Sequence, residues 1–195
     1  MEPDPAQVYS PAEDTALLCM TALRELRAGD RVLEIGTGSG AVAAAIVDKV
    51  RCLIASDINP HAVALVSRLG IPVIRADLTA GIRGPFDLIL FNPPYLPTSP
   101  EERIDDWLEY ALDGGESGRT VIDRFLVEAD SALCPQGRIL LLVSSLTGLS
   151  EVLGTAAACG YRAKVVADQA VEDEILYVLR LERPEGRPGV MQRIE

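Results

Sequence analysis

The chain has 195 residues, 48% of them hydrophobic, and carries 29 acidic against 18 basic side chains for a formal charge of -11. That length suits one α/β domain with a sizeable core and is short for two. The charge disfavours nucleic acid as the main partner, and no run of about twenty apolar residues offers a membrane span.

The start, MEPDPAQVYS, is polar and acidic rather than a basic leader before an apolar segment, so a soluble, cytoplasmic protein is expected. Helical spacing runs from Pro11 through Arg27, with Leu17, Leu18, Leu23 and Leu26 on one face and Gly29 as the stop. Strands are expected at Arg31 to Ile35, Cys52 to Ser56, Pro72 to Arg75, Phe86 to Phe91, Arg138 to Val143, Arg162 to Val166 and Ile175 to Leu181. Helices fall between them at Ser39 to Val50, Pro60 to Leu69, Gly118 to Leu133 and Leu149 to Cys159. This alternation implies a mostly parallel sheet covered on both faces. One domain over residues 1–182 is expected, with a mobile Pro- and Gly-rich tail from Arg183 to Glu195. Cys19, Cys52, Cys134 and Cys159 fit no metal or redox spacing and read as reduced core thiols, so no metal site is expected.

Only the residues from Asp77 to Pro85 join the third and fourth strands, fewer than a helical crossover usually needs. A third strand at the sheet edge would leave Ile71, Val73 and Ile74 poorly covered. Such an edge invites a partner subunit.

Ligands of open α/β sheets bind beyond the carboxyl ends of strands, where strand order reverses. The suggestive residues all stand at such ends: Glu34 and Gly36, Asp57, Asp77 and Asn92. The loop Glu34-Ile35-Gly36-Thr37-Gly38-Ser39-Gly40 allows a ligand close to the backbone, and with Ala41 it also satisfies a dinucleotide pattern. Asp57 suits ribose hydroxyls in either reading. A carboxylate at Glu34 favours a cation over a pyrophosphate, and Asp77 offers an acceptor for an adenine amino group. Both favour S-adenosylmethionine. Behind the fourth strand, Asn92-Pro93-Pro94-Tyr95 supplies an amide oxygen and a proline carbonyl that can accept from a planar NH2 group, with a tyrosine ring for its flat face.

These residues together resemble the HemK-like class I S-adenosylmethionine-dependent methyltransferases, in the short archaeal and eukaryotic branch that methylates glutamine N5 of a class 1 translation termination factor. The resemblance covers the chain to about Leu181. It rests on Val8-Tyr9-Ser10-Pro11-Ala12-Glu13-Asp14-Thr15, Glu34 to Gly40, Ser56-Asp57-Ile58-Asn59-Pro60, Ala76-Asp77-Leu78, Phe91 to Tyr95, and Gly114-Gly115-Glu116-Ser117-Gly118-Arg119 with Asp123-Arg124-Phe125. It implies a Rossmann-like, seven-stranded mostly parallel sheet with the last strand antiparallel and helices on both faces. It further implies cofactor contacts at Thr15, Glu34, Gly36, Gly38, Asp57, Asp77 and Asn92, and a substrate glutamine held by Asn92, Pro93 and Tyr95. A small zinc-binding activator subunit is the implied partner, in a heterodimer formed near Ile71 to Ile74. Position 10 is Ser where the family often has Glu. The Asn-Pro-Pro-Tyr motif is shared with adenine and guanine amino methyltransferases, which supply the alternative reading.

Overall fold

Seven strands form one sheet in the computed structural model of the chain, which describes residues 2–99, 101 and 106–184. They are β1 (Arg31–Ile35), β2 (Cys52–Asp57), β3 (Val73–Arg75), β4 (Phe86–Phe91), β5 (Leu133–Ser144), β6 (Arg162–Val171) and β7 (Glu174–Glu182). The helices are α1 (Glu13–Glu25), α2 (Ala41–Ile46), α3 (Pro60–Arg68), α4 (Trp107–Tyr110), α5 (Thr120–Glu128) and α6 (Leu149–Ala158), with short 3-10 turns such as Pro5–Gln7. The sheet order is β3-β2-β1-β4-β5-β7-β6, and β7 alone runs antiparallel to its neighbours.

Because successive strand side chains point to opposite faces, β4 feeds two cores at once. Leu88 and Leu90 join Leu17, Leu18, Val42, Ile46 and Val66 from α1, α2 and α3, whereas Ile89 and Phe91 join Ile122, Phe125, Leu126 and Val152 from α5 and α6. A strand buried on both sides needs an unbroken apolar run, which is what Leu88 to Phe91 supplies. Order reverses between β1 and β4, whose ends are in register with Ile35 opposite Phe91. Gly36 and Asn92 therefore emerge side by side.

Several expectations shift. The first helix begins after Pro11, with Glu13 and Asp14 in the first turn, where the helix dipole favours acids. The expected helix from Gly118 to Leu133 stops at Glu128. β5 starts earlier, its register slipping between Phe86 and Leu88 so that Pro135 to Gly137 pass through as a bulge. β3 is an edge strand, yet Ile71 is buried, and the exposed apolar side chains there are Leu69 and Ile74. The four thiols are free, but Cys52 is exposed and the others half-buried, so none is a sealed core thiol. Arg183, expected in the mobile tail, is pinned through Asp130 and the Leu133 and Cys134 carbonyls. The rest of that expected tail, 185–195, lies outside the described residues.

Candidate active site

A cavity of about 920 Å³ opens at the switch point between β1 and β4. Its wall holds every residue singled out from the sequence: Thr15, Glu34, Gly36, Gly38, Asp57, Asp77, Asn92, Pro93 and Tyr95.

The glycine loop is shaped by its own backbone and by Asp57. Gly36, Gly38 and Gly40 have φ of 64°, 54° and 81°, which side chains rarely adopt. A Cβ on Gly40 would lie 2.9 Å from Val66 of α3. The Gly38 N–H donates to Asp57 at 2.8 Å and the Asn59 N–H to the other Asp57 oxygen at 2.8 Å. Each oxygen keeps a further lone pair. Glu34 is 4% exposed, and its Oε2 has no hydrogen-bond partner among the described residues. Burial, reinforced by the Asp57 charge, pushes its carboxyl up to about 8, against the opposing pull of the Thr37 hydroxyl and the Ala43 N–H. At neutral pH it is a proton-bearing acid that a bound cation would ionise. Asp77 pairs with Arg124 at 2.8 Å in a half-exposed bridge. Beside it, Leu78 takes a φ of 48°, the one non-glycine in the left-handed region among the described residues.

On the other side, the Asn92 Nδ2 donates to Asp14 at 3.0 Å, and Asn92 Oδ1 is buried without a partner among the described residues. An orphaned acceptor on a cavity wall is costly unless something fills it. Tyr95 lines the same wall, and burial first, then the nearby Asp14 charge, holds its phenol firmly protonated. The glycine segment Gly114 to Gly118 braces this turn: the Leu96 N–H reaches the Leu112 carbonyl at 3.1 Å and the Gly114 N–H the Leu96 carbonyl at 2.9 Å. A cap closes the outer rim. Trp107 takes the Gln7 side-chain oxygen on its backbone N–H at 3.1 Å, stacks on Tyr110 at 5.4 Å, and lies under the Arg75 guanidinium at 5.6 Å.

Sequence reasoning passed over three wall residues. Asp14 stood inside a quoted motif without a role. Glu109 holds two buried, unpartnered carboxylate oxygens among the described residues, and Arg124 ties α5 to Asp77. Asp14 and Arg124 were signalled only as polar residues in conspicuous motifs, and Glu109 stands outside every quoted motif. His61 is half-buried and accepts the Asp4 N–H at 3.0 Å, holding the N-terminal turn against α3.

Sheet order, antiparallel last strand and an acid-lined glycine loop at the switch point define a class I methyltransferase fold. The comparisons agree. The chain belongs to the methyltransferase small domain family, whose model matches residues 7–104. It is 40% identical to a Methanocaldococcus jannaschii protein named as a candidate protein N5-glutamine methyltransferase, over 89% of this chain and 90% of that one. It is 36% identical to a release factor glutamine methyltransferase of Deinococcus radiodurans, over 84% of this chain and 63% of that longer one. Among solved structures, the E. cuniculi Mtq2-Trm112 complex, responsible for methylation of the eRF1 translation termination factor, superposes with a TM-score of 0.78 at 30% identity, over 91% of this chain and 99% of its counterpart.

Proposed function

We propose that this chain is an S-adenosylmethionine-dependent protein-glutamine N5-methyltransferase acting on the Gly-Gly-Gln glutamine of a class 1 translation termination factor, in the cytoplasm and with a small zinc-binding activator subunit. The observation that carries the reading is the buried Asn92 Oδ1 on the cavity wall, unpartnered among the described residues and an acceptor waiting for an N–H. Relatives named for glutamine methylation and for release factors support the substrate, and the Mtq2-Trm112 complex supports the partner.

The residues present fit the cofactor. Glu34 offers an orphaned buried oxygen to a cation, Asp57 has spare lone pairs for ribose hydroxyls, and Gly36 leaves room that a Cβ would narrow to 3.4 Å from the Phe91 ring. Thr15, Gly38, Asp77 and Asn92 complete that set. When bound, S-adenosylmethionine supplies an electrophilic methyl group. The chain's own task is orientation, because an amide nitrogen is a poor nucleophile whose lone pair is delocalised. Asn92 Oδ1 and the Pro93 carbonyl accept the two amide hydrogens while Tyr95 covers the amide plane. Alignment of this kind is worth up to ~7–11 kcal/mol in favourable cases. The same acceptors favour the positive charge that develops on nitrogen, so no strong general base is required before the proton leaves.

An exocyclic amine of a nucleobase would satisfy the same acceptors, but the charge of -11 opposes its polyphosphate chain. The deciding experiment is transfer of labelled methyl to a termination factor and to its Gly-Gly-Gln glutamine-to-alanine variant, with and without the activator subunit. Label that disappears with the glutamine is the expected result. Label that persists, or none even with the activator, would refute the substrate.

A further inference from the structure

Asn92 presents a side-chain amide whose two ends are almost the same size and opposite in hydrogen-bonding character. Sterics alone cannot choose between an oxygen and an NH2 group facing the cavity. The choice decides the chemistry, since an NH2 end would meet the NH2 of an acceptor amide donor to donor. In the structure the NH2 end is turned away and spent on Asp14 Oδ2 at 3.0 Å, leaving the oxygen buried and without a partner among the described residues.

Asp14 is itself tightly placed. It is 4% exposed, in the first turn of α1, and its Oδ1 accepts the Thr15 N–H, the Thr15 hydroxyl at 3.2 Å and the Tyr9 hydroxyl at 3.4 Å. Four donors thus converge on one carboxylate, and an ionised carboxylate can only accept. Of these donors the Thr15 N–H can only donate and the two hydroxyls can rotate in place, whereas the Asn92 amide changes what it shows the cavity when it turns over.

We infer that Asp14 is a positioning residue that sets the polarity of the Asn92 amide, fixing its oxygen toward the cavity. The inference rests on the methyltransferase reading for its consequence, and on the Asp14 to Asn92 contact for its geometry. It makes a specific demand of the near-isosteric variant Asp14→Asn. The Thr15 N–H still requires an acceptor, so the new amide keeps its oxygen there and turns its NH2 group toward Asn92. Asn92 then answers with its own oxygen and shows NH2 to the cavity. A substitution that changes almost no volume inverts the acceptor.

The test uses the full-length chain with its activator and the termination factor. Asp14→Asn is expected to lower kcat at least about 50-fold, with the KM for S-adenosylmethionine within about threefold and the melting temperature close to wild type. In the Asn92→Ala background the same change should cost less than about twofold, because there is no amide left to orient. Turnover of Asp14→Asn within threefold of wild type, or full additivity with Asn92→Ala, would overturn the inference. A second readout needs no substrate: the side-chain NH2 resonances of Asn92, identified by their loss in Asn92→Ala, should shift in Asp14→Asn. If they do not move, Asp14 does not hold the amide. If wild type transfers no methyl, the proposed function falls, and the resonance arm still decides the geometry.

Discussion

Glu34 shows how one side chain can be built for a ligand against the interest of the fold. Its carboxyl sits near 8 in the folded chain against an ordinary 4.5, chiefly because burial penalises the anion. Between those two values the native state holds a proton that the unfolded chain has lost, so stability falls as pH rises through this window and is fully present only below it. Glu34→Gln keeps the shape and cannot ionise. It should therefore be more stable than wild type at pH 8, on the order of 4 kcal/mol, and close to it near pH 4.5. Thermal unfolding of both proteins across that range measures the gap, and a gap that is absent at pH 8 or widens toward acid would show that Glu34 is not held as a buried acid. The position of Glu34 at a strand end was legible in the sequence, because strand, glycine loop and helix follow one another there. Its protonation was not, since that depends on enclosure by Asp57, Thr37 and α2. Asp14 was illegible as a positioning residue for a similar reason: its partner Asn92 is 78 residues away along the chain.

At the level of elements, the turn after β4 depends on the segment that precedes α5. Gly118, with φ of 69°, lies so close that a Cβ there would stand 2.5 Å from the Tyr95 carbonyl oxygen. Backbone hydrogen bonds from Thr98 to Gly115 at 3.0 Å and from Gly114 to Leu96 at 2.9 Å lock the two segments together. Gly118→Ala must therefore displace Tyr95 or abandon its own conformation, at a cost of about 1–3 kcal/mol. Methyl transfer should drop at least about tenfold while the chain remains folded at room temperature. Gly154→Ala is the matched control, since nothing lies within 4 Å of its Cβ and α6 welcomes the alanine. If the two variants behave alike, the glycine segment does not brace the site. Gly114 to Arg119 stood out in the sequence as part of the motif set, but the surface it packs on needed the fold. β5 was mispredicted by the same local logic, because Pro135 and Gly137 look like a turn and are instead carried through as a bulge opposite β4.

The whole molecule has two exposed sheet edges, and they are not equivalent. β6 bears Arg162, Lys164 and Asp168 as exposed charges, a common protection against edge pairing. β3 is only three residues long, and beside it Leu69 and Ile74 are 56% and 43% exposed. The short β3 to β4 connection was legible from residue count alone and does lack a helix; Leu78 and Ile82 fill part of that gap while the edge stays open. What the count missed was that Ile71 is buried in the same core as Ala55 and Val66, so the apolar surface is smaller and differently composed than the sequence suggested. The partner proposed for this chain should seat on Leu69 and Ile74. Because both side chains are about half exposed, replacing them with Asp changes monomer stability by about 1 kcal/mol each. The double variant Leu69→Asp, Ile74→Asp should stay folded at room temperature yet lose co-purification with the co-expressed small activator subunit proposed above. Capture as strong as wild type would move the partner elsewhere, and the β6–β7 hairpin, with Val165 of β6 and Ile175 of β7 exposed at 37% and 39%, is where the same substitutions would then be made.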